Sequence, residues 1–280
     1  MSDAGNDTRF CREHAFAGNP LYRVSSILAP QKLRQLTALH ALFDLLQHIG
    51  RLSQEEGAAR VQLAWWRQEC LAGDPAVSPH PALRELHHGG QGRLDQPAFA
   101  RLIDQVEVRL EQPAITNLRA LREFCEAQGR PLLELERALW PEEGSPGGIE
   151  GSLAVRRGLW SLLTDCFLAG EASDAWWAPL DLLAREGLQR SELFEPARSS
   201  QAARLFAEVL SPEEGASADS IDISDIKQSV AHIHLMDFLV RRKLRNLRGA
   251  APREFPRELS RVRVREFLVD RDPDRRHRRH

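Results

Sequence analysis

An all-α fold is what this sequence predicts, and three observations carry it. Apolar residues recur at intervals of three and four along most of the chain, the period of a helix that buries one face. The breaks between periodic segments hold Pro, Gly, Asp and Ser, the residues that end and cap helices. No segment alternates apolar and polar residues between turns, so nothing reads as a sheet.

The first strong helix spans 30–49. Pro30 stands in its first turn, where a missing N–H costs no hydrogen bond, and Leu33, Leu36, Leu39, Leu42, Phe43, Leu46 and Ile49 make one stripe. A second helix covers 54–72, with Val61, Leu63, Ala64 and Trp65 inside it and Gly73-Asp74-Pro75 at its end. Ser78-Pro79-His80-Pro81 opens a short helix through Leu86, which Gly89, Gly90 and Gly92 close. Asp95 is the expected N-cap of a helix to Arg109, and Thr116 that of a long helix to Leu139 through Leu118, Leu121, Phe124 and Cys125. A loop at 141–148 leads to a helix over 149–169. Shorter helices follow over 179–187 and 199–210, then a polar connection over 211–220 and two last helices over 222–247 and 254–269. The expected organisation is a flexible segment over 1–19, one helical domain over 20–270 and a disordered, charge-rich tail over 271–280.

Composition narrows the function. A chain of 280 residues with 42% hydrophobic and 28% charged residues is ordinary for a globular protein with a sizeable core. A formal net charge of −2 provides no field to gather nucleic acid, so no nucleic-acid partner is expected. No apolar run is long enough to span a bilayer, and the first residues (MSDAGNDTRF) show no signal peptide. Cytoplasmic residence is the expectation, with peripheral membrane contact compatible. Cys11, Cys70, Cys125 and Cys166 are far apart with no C-x-x-C pair, and read as small buried hydrophobes.

Several blocks in order then resemble one family. Leu21-Tyr22, the apolar stretch to Pro30, Arg34 and Ala38-Leu-His-Ala-Leu-Phe43 are similar to the opening of squalene and phytoene synthases. Ala64-Trp-Trp-Arg-Gln-Glu69 resembles that family's second helix, and His80-Pro81-Ala-Leu83 the start of its third. Ala154-x-x-x-Gly158, Thr164 and Trp177-Ala-Pro179-Leu-Asp181 are similar to its second signature and the segment after it. The resemblance implies an isoprenoid-synthase (terpenoid synthase)-like bundle around a central cavity, with Tyr22, Trp65, Trp66 and Trp160 as candidates to line it. It also implies head-to-head condensation of prenyl diphosphates. There, magnesium held by two D-x-x-x-D clusters neutralises the departing diphosphate, since i, i+4 spacing puts both carboxylates on one helix face.

Both clusters are missing. The first should fall at 47, 48 and 51, where the chain has Gln47, His48 and Arg51. The second should fall at 169 and 173, where it has Ala169 and Ser173, and the signature's Gln, Asn and Arg positions are Leu162, Asp165 and Leu168. Asp44, Asp165 and Asp174 are the weak candidates for a rebuilt site, yet Asp44 and Asp174 pair with no carboxylate at i+4, and Arg51 would repel a divalent cation. No metal or other cofactor is expected, magnesium entering only if a rearranged prenyl transferase survives. Three readings stand open. One is a non-enzymatic relative that binds an isoprenoid, a lipid-like molecule or a protein partner, in the manner of an assembly factor. Another is an active transferase condensing farnesyl or geranylgeranyl diphosphate with a rearranged site. The third is a helical interaction protein with a filled core.

Other residues weigh less. His48 alone on a helix, His87-His88 beside the glycine break, and His232 with His234 at i, i+2 make poor catalytic or metal sets. The basic run from Arg241 to Arg248 complements the dipole at a helix C-terminus.

Overall fold

Helix α2 (Pro30–Leu52) is the axis of the N-terminal half, and its sequence explains why. Every residue from Gln35 to Leu42 is buried, so the helix is covered on all sides rather than along one stripe. Around it pack α1 (Asp3–His14), α3 (Glu56–Leu71), α4 (Pro81–His88), α5 (Gln96–Leu110) and the long α6 (Leu118–Ala138). The computed structural model describes residues 3–15, 30–52, 56–71, 78–88, 95–139, 151–168, 175–211, 240–241 and 244–248. Among these every regular element is helical and none is a strand, as the sequence predicts. No helix among them is long and apolar enough to cross a membrane.

The caps follow the sequence closely. Asp95 accepts from the Ala98 N–H at 3.1 Å and starts α5 as expected. At α6 the expected cap is off by one residue. Asn117, not Thr116, accepts from the Ala120 N–H at 2.9 Å, and its extended backbone leaves Leu118 as the first helical residue. His80 starts α4. Its Nδ1 accepts from the Ala82 N–H at 3.2 Å and its carbonyl from Leu83 and Arg84, while Pro81, which has no N–H, needs no acceptor.

One expectation is corrected at the N-terminus. Residues 3–14 form α1 instead of a flexible segment. The helix is clipped onto α4 by Arg84, which donates twice to Asp7 (2.9 and 2.6 Å), and by Thr8, which donates to Glu85 at 2.8 Å. Arg34 of α2 donates twice to the same Glu85 (2.7 and 2.8 Å), and Cys11 and Ala15 enter the apolar core. The docking is largely polar, so hydrophobic periodicity gives little sign of it.

Helix α7 (Gly151–Leu168) packs on α6 more extensively than any other pair of described elements. The reason lies in two glycines. A Cβ on Gly158 would stand 1.9 Å from the Cys125 carbonyl oxygen, and one on Gly129 would stand 2.1 Å from that of Ala154. The two backbones touch, so only hydrogen fits at either position. Beyond α7 come α8 (Leu180–Glu186), 3-10 turns at Arg190–Glu192 and Pro196–Arg198, and α9 (Ser199–Val209). The first amides of α8, Leu180 and Asp181, donate to the carbonyls of Ile115 (3.0 Å) and Thr116 (3.1 Å), which fixes the Trp177-to-Asp181 block against the start of α6. Val240, Leu244 and Leu247, spaced at i, i+4 and i+7, join this second core; the rest of the helix expected over 222–247, the helix expected over 254–269 and the tail at 271–280 lie outside the described residues. The two apolar clusters meet at α6, which contributes Leu121, Phe124 and Cys125 to one and Leu132 and Leu135 to the other.

Candidate functional site

The helix that should carry the first signature is α2, and the burial of its polar residues decides what they do. His40 and Gln47, two turns apart, are 4% and 2% exposed, and Asp44 between them is half-buried. Gln47, where the resemblance expects the first signature carboxylate, accepts through Oε1 from Arg109 Nη1 in the last turn of α5. His48 is exposed, and Arg51 stands in the last turn of α2.

One turn back on α2, His40 opens a buried polar set that ties three helices together. Its Nε2 lies 2.8 Å from Glu136 Oε1 on α6, and Arg157 Nη2 on α7 donates to that same oxygen. Glu136 is fully buried and Arg157 nearly so. Burial, helped by the charge of Arg157, pulls the His40 pKa down, and this outweighs the pull upward from Glu136 and Asp44. His40 is therefore neutral, and because an ionised carboxylate only accepts, its Nε2 carries the proton that goes to Glu136. The set holds one guanidinium and one carboxylate and is balanced in charge. Such a set fixes helices against one another, since removing either charged member strands the other away from water.

Two donors on α7 remain over. Arg157 Nε and Trp160 Nε1 are buried and have no hydrogen-bond partner among the described residues. Of the second signature, Ala154 and Gly158 sit at the close contact with α6, and Leu162 is buried in the apolar cluster. Thr164 Oγ1 donates back to the Trp160 and Ser161 carbonyls at 2.9 Å each. Asp165 falls in the last turn of α7, whereas Ala169, Ser173 and Asp174 lie outside the described residues, as does Tyr22.

The residue pattern of the second signature thus has a structural explanation, and a family comparison gives it a name. The model of the squalene/phytoene synthase family matches residues 17–266. The chain belongs to the squalene/phytoene synthase family. No curated protein matches it. Family membership and an all-helical fold are what the sequence blocks implied.

The remaining expected site residues are dispersed. The buried stripe of α3 is Ala59, Leu63, Trp66 and Cys70, which turns Val61 and Trp65 outward; Trp65 is 39% exposed and faces solvent rather than an interior wall. Trp66 stacks edge-on to His80 at 4.5 Å within the core around α2, and Trp160 is buried in the cluster around α7. His87 and His88 are exposed in the last turn of α4. Cys11, Cys70 and Cys125 are buried free thiols, with burial raising the pKa of each. No group of three His, Cys, Asp or Glu side chains among the described residues is placed to hold a metal.

Sequence reasoning missed His40, Glu136 and Arg157. A signal was there for Glu136, an ionisable residue on the stripe that runs through Leu121, Cys125, Leu132 and Leu135. A charge on a buried stripe requires a buried partner.

Proposed function

We propose that this protein is a squalene/phytoene synthase family member that binds an isoprenoid or lipid-like molecule and does not ionise a prenyl diphosphate by the magnesium route. The observation that carries the reading is Gln47. It occupies the position where the resemblance expects the first carboxylate, and its amide oxygen is already taken by the Arg109 guanidinium. Magnesium binds charged oxygens with near-octahedral geometry, and a neutral amide next to a fixed cation is a poor replacement. The second position of the same signature is Arg51, another cation. This donor set does not fit the metal.

The test is turnover. Purified protein given magnesium and farnesyl or geranylgeranyl diphosphate is expected to release no diphosphate above the protein-free rate. Magnesium-dependent release that Asp44→Ala or Asp165→Ala abolishes would overturn the reading and establish a transferase with a rearranged site.

A further inference from the structure

Helix α3 turns a face without charge toward solvent. From Gly57 onward, every exposed residue of the helix except Arg60 is uncharged. The charges stand to the side. Arg60 reaches Glu111 at 3.5 Å, and Arg67 reaches Asp104 at 2.8 Å and Glu107 at 3.3 Å, all toward α5, while Glu69 accepts from the Ser78 hydroxyl at 3.0 Å. The outer faces of α1, α6 and α9 differ, since each carries an exposed arginine in a surface ion pair: Arg9, Arg119 and Arg204. Along the neutral face Ala58, Val61, Trp65 and Gln68 are spaced by three, four and three, the seam by which one helix lies lengthwise on another. Val61 is 71% exposed and Trp65 39%. The Trp65 ring stands edge-on to Trp66 at 5.0 Å and to His80 at 6.3 Å, so it is held in place beforehand and has little freedom to lose on binding.

We propose that this face is the interface between two copies of the chain, with α3 packed antiparallel on its counterpart about a two-fold axis level with Leu63. The pairing that this axis imposes is what selects a second copy. A two-fold brings together positions equally distant from it along the helix. Trp65 then meets Val61, Gln68 meets Ala58 and Gln62 meets Ala64, each time a large side chain against a smaller one. The two central layers are apolar and the outer ones hold the glutamines, as in an interface with a dry core and a polar rim. Charge points the same way. A face that meets its own copy doubles any net charge it carries, so it must be neutral, whereas an anionic bilayer or a charged partner calls for opposite charges that this face lacks. A single helix of 16 residues makes a small interface, so the dimer is a weak one with micromolar dissociation.

The experiment is sedimentation equilibrium of the full chain over a concentration series, where the mass is expected to rise from 31.6 kDa toward twice that value. Val61→Glu changes an exposed position, so helical circular dichroism should be unchanged while the dissociation constant rises at least about tenfold. A cross-link reads the register. Chains carrying Ala58→Cys and chains carrying Gln68→Cys are expected to form a disulfide with each other when mixed and oxidised, and neither with itself. If Val61→Glu fails to fold, the wild-type series and the cross-link decide. A chain that keeps the monomer mass throughout, a dimer that Val61→Glu leaves intact, or Ala58→Cys chains that link to one another overturns the proposal. So does a monomer that floats with phosphatidylcholine vesicles until Val61→Glu releases it, which would assign the face to a membrane.

Discussion

Gly158→Ala adds one methyl group at the crossing of α6 and α7, and its cost can be worked from the contact. The new Cβ would lie 1.9 Å from the oxygen, 2.6 Å from the carbon and 2.7 Å from the Cα of Cys125. Ordinary contact lies near 3.5 Å, so the helices would have to part by about 1.5 Å. The obstruction is backbone, which has no rotamer through which to escape. A gap of that size forfeits a large part of the dispersion energy of every side chain flanking the crossing, here Leu121, Phe124, Leu159 and Leu162. Overpacking costs typically about 1–3 kcal/mol, and this position belongs at the upper end or beyond. Alanine's helix propensity returns about 1 kcal/mol, leaving a net loss of at least ~2 kcal/mol. For a chain of this size a loss of ~2 kcal/mol lowers the melting temperature by roughly 3–6 °C, read by helical circular dichroism. Gly57→Ala is the control: nothing lies within 4 Å of its Cβ, so it should be neutral or slightly stabilising. Gly129→Ala should cost a similar amount, and the double variant less than the sum, because the first change has already parted the helices. If Gly158→Ala melts at or above the wild-type temperature, α6 and α7 do not meet through their backbones.

Three further outcomes follow from the polar contacts. Arg157→Met should destabilise by about 3–5 kcal/mol in a denaturant titration by stranding Glu136, and adding Glu136→Met should recover most of the loss; a near-neutral single variant would show that the pair is not buried. His80 is held down to about 4 by burial, with the charges of Arg84 and His14 adding to it, and His40 is also lowered. The unfolded chain takes these protons as pH falls below 6.5 while the folded chain refuses them, so stability is unaffected above that value and falls from there toward pH 4, by about 1–3 kcal/mol for the partly exposed His80. His80→Asn keeps a cap acceptor but does not titrate, and should flatten its share of that slope. Asn117→Ala should cost about 1 kcal/mol of stability by chemical denaturation, while Asn117→Asp, which still accepts from Ala120, should cost little.

The helical skeleton was legible because local chemistry sets it. Pro30, Asp95 and the stripe of α6 announce their elements from a few neighbouring residues, and the Asn117 cap was missed by one position because Thr116 beside it is an equally good acceptor. What could not be read was the pairing across distance. His40 and Glu136 stand 96 residues apart in sequence, and nothing near either names the other. Helix α1 escaped for the same reason, since Asp7 and Thr8 look like solvated polar residues until Arg84 and Glu85 are brought against them. The A-x-x-x-G spacing at 154–158 was visible as a family mark, but its purpose depends on Gly129, which belongs to another helix.

The hydrogen bond between Gln47 and Arg109 means that a single substitution on α2 would not by itself make a metal site there. An aspartate restored at 47 would meet the guanidinium that now holds the amide, and the resulting ion pair would compete with any metal for the carboxylate. Magnesium binding by calorimetry should therefore stay undetectable in Gln47→Asp alone. A metal site on this face of α2 would need a second change at Arg109, which lies on another helix and outside the signature.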